Sequence, residues 1–353
     1  MATTFLVVGD VAGHLTALDE VLAPFDVCVS ESEVPAGTVV VQVVDLIGRS
    51  DESARLIACV DGLRDRSPDR WVQLAGNHEL HHLGGHQFQG TRNLPDDAVA
   101  TMRAWLDEGW MRVAVALGVG DSAVLVSHAG LTRGLWTELG APREAGDAVA
   151  ALESLRLEPA GWEVINRPGR MLNLGRFPIV EPTAGPVWAE ASIELLPPWI
   201  DRGDLPFDQV HGHSSGYDWF RGRVRNRALA DHCEIDRERR HVVARIGART
   251  ITGIDPSLWP GRALALGAAR RRLERMTGAH RDLISRDPKI RHGQAVIKGT
   301  RVMVSIVLDA LAARMAEQDI LSEYPTLTVD GIRAAAAYGA DLARDEYPAV
   351  AAQ

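Results

Sequence analysis

The chain has 353 residues, 46% of them apolar, which suffices for a sizeable core and more than one domain. A formal net charge of -9 argues against a general electrostatic affinity for nucleic acid. Three cysteines without CxxC spacing, no secretion signal and no apolar run near the ~20 residues that span a bilayer point away from membranes and towards a cytoplasmic protein.

Residues 4–8 (TFLVV) predict a first strand, ending in Gly9-Asp10. A helical pattern follows over residues 14–22. Residues 38–44 (TVVVQVV) predict a second strand, ending in Asp45, with Arg49 four residues on. A second helical pattern covers residues 52–63. The third strand, residues 71–75, runs into Gly76-Asn77-His78-Glu79, where Gly76 is expected to turn the chain through backbone angles closed to other residues. Residues 123–126 end in Ser127-His128-Ala129-Gly130, and residues 206–210 lead into His211-Gly212-His213-Ser214-Ser215. The first three runs are spaced by roughly thirty residues, the length of one β-α-β unit. Each run is followed by a side chain that can hold a metal, and open α/β sheets place ligands at the carboxyl ends of their strands. Residues 251–254 followed by Asp255-Pro256 read as a strand end and a turn.

Carboxylate, amide oxygen and imidazole together suit manganese, iron or zinc. Two such ions about 3.5–4 Å apart can bridge a hydroxide and clamp phosphoryl oxygens during in-line displacement. A guanidinium matches phosphate bidentately. A histidine beside the ions can donate a proton to a departing oxygen.

The ordered set GD, D…R, GNHE, HAGL, HGHS resembles the calcineurin-like metallophosphoesterases, nearest the branch with the Ser/Thr protein phosphatases and the bacterial diadenosine tetraphosphatases. The resemblance covers about the first three-quarters of the chain. It implies an α/β fold, a four-layer β-sandwich flanked by helices, with two divalent metals at the strand ends. It implies that Asp10 binds the first metal, that Asp45 bridges both, and that Asn77, His128 and His213 bind the second. It makes Arg49 the phosphate-binding cation and His78 the group at the leaving oxygen.

Three positions depart from the family pattern. Ala12 stands where the family has a first-metal histidine. Gly48 stands where it has the aspartate that orients the catalytic histidine. Ser215 replaces a further histidine in the last motif. The first metal site is therefore expected to be weak. His14, two residues past Ala12, is read as part of the next helix rather than as a ligand. His81, His82 and His86 are read as partly exposed polar residues at a helix start.

Composition shifts near Pro260. The metallophosphoesterase domain is expected over residues 1–260, a linker helix over 261–280 and a small domain over 281–353. In the last, short strands precede a helix capped by Ser305, another from Glu317, and a last helix capped by Thr328. The segments Lys298-Gly299-Thr300-Arg301 and Tyr324-Pro325-Thr326-Leu327-Thr328 resemble a small bacterial family of unknown function related to VapB-type antitoxin partners. That resemblance implies a mostly helical, helix-turn-helix-like module, with DNA or a protein as its partner and Lys298 and Arg301 on phosphates.

The expected function is metal-dependent hydrolysis of a phosphomonoester or a nucleotide phosphoanhydride by a metal-bridged hydroxide. The substrate would be a phosphorylated small molecule, a nucleotide or a phosphoprotein. The alternative is a catalytically weakened fold serving as a regulatory binding protein through its C-terminal module.

Overall fold

The computed structural model describes residues 3–43, 45–89, 91–119, 122–172, 180–255, 264–267, 283–285, 295–300, 302–313 and 315–346. Two compact units divide the chain, Met1–Gly267 and Ala268–Gln353.

The first unit begins with strands and helices in alternation: β1 (Thr4–Val8), α1 (Leu15–Leu22), β2 (Thr38–Gln42), α2 (Ser53–Arg66), β3 (Trp71–Leu74), α3 (Asn77–His82), α4 (Asp96–Asp107) and β4 (Met111–Arg112). The four strands are parallel neighbours in the order β1-β2-β3-β4. Their near-continuous apolar runs are those of strands buried on both faces. Val7 and Val41 enter the core between the sheets, while Leu6 and Val40, on the opposite face, are equally buried.

The second sheet is built from β5 (Ala114–Val119), β6 (Ser122–Ser127), β7 (Asp208–His211), β10 (Cys233–Asp236), β11 (His241–Ile246) and β12 (Arg249–Gly253), in the order β10-β11-β12-β7-β6-β5. Before β7 come α5 (Arg133–Glu138), α6 (Ala145–Arg156), α7 (Pro159–Ile165) and α8 (Leu196–Arg202), and α6 packs on β5 and β6. A two-residue ladder, β8 (Tyr217–Asp218) with β9 (Arg223–Val224), stands beside the sheet order. The sheets share one apolar core: Val7, Val41, Val43 and Leu74 from the first meet Leu117, Val124, Val126, Val210 and Ile254 from the second. Thus the unit is an α/β sandwich with helices outside its sheets.

The expected linker helix over 261–280 is corrected in part. Leu264–Gly267 forms β13, an antiparallel edge strand on β1. Its Leu and Ala favour helix, but the open edge of β1 offers a row of unpaired backbone groups, and pairing there outweighs weak intrinsic propensity. The rest of that span lies outside the described residues. The three cysteines are free and half-buried.

In the second unit β14 (Ile284–Ser285) pairs antiparallel with β15 (Val296–Ile297), followed by α9 (Val304–Ala312), α10 (Glu317–Glu323) and α11 (Val329–Glu346). Ile297, Val304, Val307, Ile320, Leu327 and Ile332 form its core. Met303, not Ser305, precedes the first turn of α9, because Met303 bridges back to Val296 and the helix starts immediately after it. Thr328 Oγ1 accepts from the Gly331 N–H at 3.1 Å, as a capping residue does. Lys298 is exposed on a turn, and Arg301 lies outside the described residues. No helix among the described residues is long and apolar enough to cross a membrane.

Candidate metal centre

The sandwich topology brings six strand ends to one place. β1 and β2 run parallel, as do β6, β7 and β12. Backbone bonds continue past the strand ends: Val43 N–H donates to Val8 O, Gly212 N–H to His128 O and Ile254 N–H to His211 O, all at 2.8–2.9 Å. Asp10, Asp45, Asn77, His128 and His213 follow those strands within three residues.

The loops there are tightly constrained. Val11 and Ala12 N–H groups donate to Asp45 O, and Arg49 and Ser50 N–H groups donate to Ala12 O. Ala12, Asp45 and His213 all hold positive φ, at 51°, 30° and 60°. Backbone strain of this kind persists only where the surroundings over-determine it, as at functional sites. Gly76 does not use its conformational freedom, since φ -104° and ψ 173° are open to any residue. It is a glycine because of space, as a Cβ there would collide with the Asp45 carboxylate.

Four donors converge. His128 Nε2 lies 2.9 Å from Asn77 Oδ1, 3.0 Å from His213 Nδ1 and 3.7 Å from Asp45 Oδ1. The ligand atoms of Asp45, His128 and His213 all fall within 4.8 Å of one another. His213 N–H donates to Asp10 Oδ1 at 3.2 Å, and His78 N–H to Asp45 Oδ1 at 3.1 Å.

Electrostatics show what this arrangement lacks. Burial lowers the pKa of His128 well below its ordinary value and that of His213 to about 3, so both rings are neutral. Burial, with the charges of neighbouring carboxyls, holds Asp10 and Asp45 well above the usual carboxylate range. As they stand, then, the Asp45–His128 contact is no ion pair. A divalent cation inverts this logic, because it keeps the carboxylates ionised and takes the imidazole lone pairs. The donor set of Asp45, Asn77, His128 and His213 fits such an ion.

A cavity of about 370 Å³ opens beside these donors and is lined by Asp10, Asp45, His78 and His213 among others. Arg49 also lines it; its side chain is exposed and makes no hydrogen bond or ion pair among the described residues. Asn77 and His128 are buried and do not line the cavity. At the first-metal position Ala12 and Ser215 line the cavity without a ligand atom comparable to histidine. His14 lies just before α1 and lines the cavity too. His81 and His82 are partly buried on α3, and His86 is exposed.

Three charged cavity residues were not expected there from the sequence: Asp255, Glu190 and Arg225. Asp255 is buried, follows β12, and its charge raises the pKa of Asp10. Its signal was present, since residues 251–254 form another apolar run ending in a carboxylate. Glu190 and Arg225 carry no comparable motif. Glu79 also goes beyond its sequence reading. Fully buried, it accepts from Gly76 N–H at 2.9 Å and from Ile47 N–H at 3.1 Å, clamping the loop after β2 to the turn before α3. Burial pushes its carboxyl up to about 7.

Comparison with known proteins agrees with this geometry. The model of the family described as calcineurin-like phosphoesterase matches residues 3–242, and that described as a protein of unknown function (DUF433) matches residues 284–339. No curated protein matches the chain. Among solved structures, a cold-active protein-tyrosine phosphatase of a psychrophile, Shewanella sp., is 15% identical over 76% of each chain, with a TM-score of 0.43. An isoleucine-to-methionine mutant of a cold-active protein tyrosine phosphatase is 14% identical over 76% of each chain, at TM-score 0.46. With its motifs gathered at the strand ends of a two-sheet sandwich and a family match over most of its length, the chain belongs to the calcineurin-like phosphoesterases.

Proposed function

We propose that the first unit hydrolyses a phosphomonoester or a nucleotide phosphoanhydride with divalent metal ions at the cavity. The observation that carries this reading is the convergence of His128 Nε2, His213 Nδ1 and Asn77 Oδ1 beside Asp45. Asp45, Asn77, His128 and His213 would hold one ion, and Asp10 with Asp45 a second, less firmly bound one. When bound, such ions supply an activated water and neutralise charge on the phosphoryl oxygens. Arg49, which lines the cavity, would bind the phosphate. His78 lines the same cavity, its Nε2 3.8 Å from Asp45 Oδ2, and would act at the leaving oxygen. Burial lowers its pKa to about 4, so at neutral pH it is a neutral hydrogen-bond partner there. The substrate class stays broad: phosphorylated small molecule, nucleotide or phosphoprotein.

The second reading is a regulatory binding protein, and Ala12 and Ser215 at the first-metal position favour it. In that reading the C-terminal unit would take DNA or a protein partner. Manganese-dependent hydrolysis of p-nitrophenyl phosphate and bis-p-nitrophenyl phosphate, beside an Asn77→Ala variant, separates the two. Turnover that needs metal and disappears in the variant supports the hydrolase. Folded protein that binds no manganese, iron or zinc and turns over neither ester sinks it.

A further inference from the structure

Sequence reasoning leaves His78 without an orienting partner, because Gly48 stands where a carboxylate would be expected. The structure shows where that place is. Gly48 has φ +151°, and a Cβ built on it would lie 2.9 Å from His78 Nδ1. The glycine backs directly onto this ring nitrogen, so no side chain from this position fits against His78 as the loop stands. The partner comes from elsewhere: Thr91 Oγ1 lies 2.8 Å from His78 Nδ1.

Two further contacts fix Thr91 in that place. The next residue, Arg92, donates its N–H to Gly48 O at 2.9 Å, which ties the loop carrying Thr91 to the residue opposite the ring. Three residues earlier, Phe88 stands edge-on to the His78 ring, centroids 4.9 Å apart at 85°, and Phe88 itself packs on Trp188. Hence the imidazole is held by an aromatic wall and by a hydroxyl on Nδ1, while the backbone N–H of His78 is anchored on Asp45.

We propose that Thr91 is the positioning residue for His78, its hydroxyl orienting the ring through Nδ1 in place of a carboxylate; the proposal rests on the hydrolase reading above. The chemical consequence differs from that of a carboxylate. A carboxylate accepts only, so it fixes the proton on Nδ1 and leaves Nε2 bare in the neutral ring. A hydroxyl can also donate. When Thr91 donates into Nδ1, the neutral ring keeps its proton on Nε2, the nitrogen 3.8 Å from Asp45 Oδ2 at the cavity. His78 then offers a hydrogen bond to a leaving oxygen without first becoming a cation. A neutral donor helps a poor leaving group and is nearly irrelevant to a good one.

The test compares Thr91→Val and Thr91→Ser with the parent chain, using manganese-loaded protein. An alkyl phosphate and 2,4-dinitrophenyl phosphate serve as poor and good leaving groups. The 15N shifts of the His78 ring are read in parallel on metal-free protein. Expected for Thr91→Val is a fall in kcat of about 10–100-fold on the alkyl ester, with KM little changed, as for loss of a group that orients a functional ligand. On the dinitrophenyl ester it should stay within about twofold, and Thr91→Ser should restore the alkyl activity. The ring should shift from the Nε2–H tautomer in the parent towards a mixture in the valine variant. An unchanged tautomer in Thr91→Val, an equal loss on both esters, or a serine variant as poor as valine would each overturn the proposal. A parent inactive on both esters would instead count against the hydrolase reading, and the ring shifts would still decide the role of Thr91.

Discussion

His128 Nε2 and His213 Nδ1 face each other across 3.0 Å, although 85 residues separate them in the chain. Both rings are buried and kept neutral, so at most one of the two nitrogens can donate to the other. Asn77 Oδ1 presses on the same nitrogen of His128 from another side. Three polar atoms compete for a single proton, and a cation among them satisfies all three. His128→Ala is therefore expected to remove one tightly bound metal per chain and to cut hydrolysis by at least about a hundredfold, beyond the range usual for groups one layer further out. Metal content by plasma mass spectrometry checks the first part, and a chain that keeps its full metal content would refute it.

Glu79 shows how the turn before α3 is held. Its two carboxylate oxygens accept separate backbone N–H groups, from Gly76 and Ile47, in a site with no exposure. Glu79→Gln presents an amide N–H₂ to one of those donors and leaves it unsatisfied. A buried donor left without a partner costs about 1–3 kcal/mol. Thermal unfolding should show that loss for Glu79→Gln and a larger one for Glu79→Ala, which adds a cavity. A variant within about 0.5 kcal/mol of the parent would show that the clamp contributes little.

The strands were legible in the sequence because buried parallel strands are short, continuous apolar runs, and those of residues 4–8, 38–42 and 71–74 pair as such runs do. Their ligand-type residues were legible because each follows a strand end directly. What stayed hidden depends on contacts across the chain. Thr91 looks like any loop threonine until the fold sets it against His78. Arg225 is one arginine among several between residues 221 and 249, and only its place at the cavity separates it from Arg245, which pairs with Glu234 on the exposed hairpin. The strand Leu264–Gly267 has a helix-favouring composition and owes its conformation to the edge of β1.

Metal binding is expected to release protons. Burial and neighbouring charges keep Asp10 and Asp45 protonated above the ordinary carboxylate range in the metal-free protein, while His128 and His213 are neutral already. A bound cation needs the carboxylates ionised, so protons leave from the aspartates and none from the imidazoles. Affinity must then rise with pH and fall as the solution is acidified. Titration calorimetry with manganese in acidic solution, in two buffers of different ionisation enthalpy, counts the protons. A count of zero, or an affinity that falls with rising pH across the acidic range, contradicts the assignment. Asp10→Asn should lower the count.

Asp255 sharpens the question of the first metal. It is buried at the same cavity as Asp10, and its charge is the largest raising influence on Asp10 after burial. Gly9, just before Asp10, lies so close to Ile254 that a Cβ on it would be 2.7 Å from the Ile254 carbonyl oxygen, which fixes the two acidic residues on adjoining backbones. Like charges held so near one another favour a divalent cation and disfavour the empty, ionised state. With Ala12 and Ser215 offering no imidazole, the negative potential of Asp10, Asp45 and Asp255 is available to attract an ion. Asp255→Asn keeps the shape and removes one charge. It should weaken the second equivalent of manganese by about tenfold while leaving the equivalent at His128 and His213 within about twofold, a difference of about 1.4 kcal/mol at one site only. Equal weakening of both equivalents would place Asp255 in general electrostatics, and no weakening would remove it from the first site.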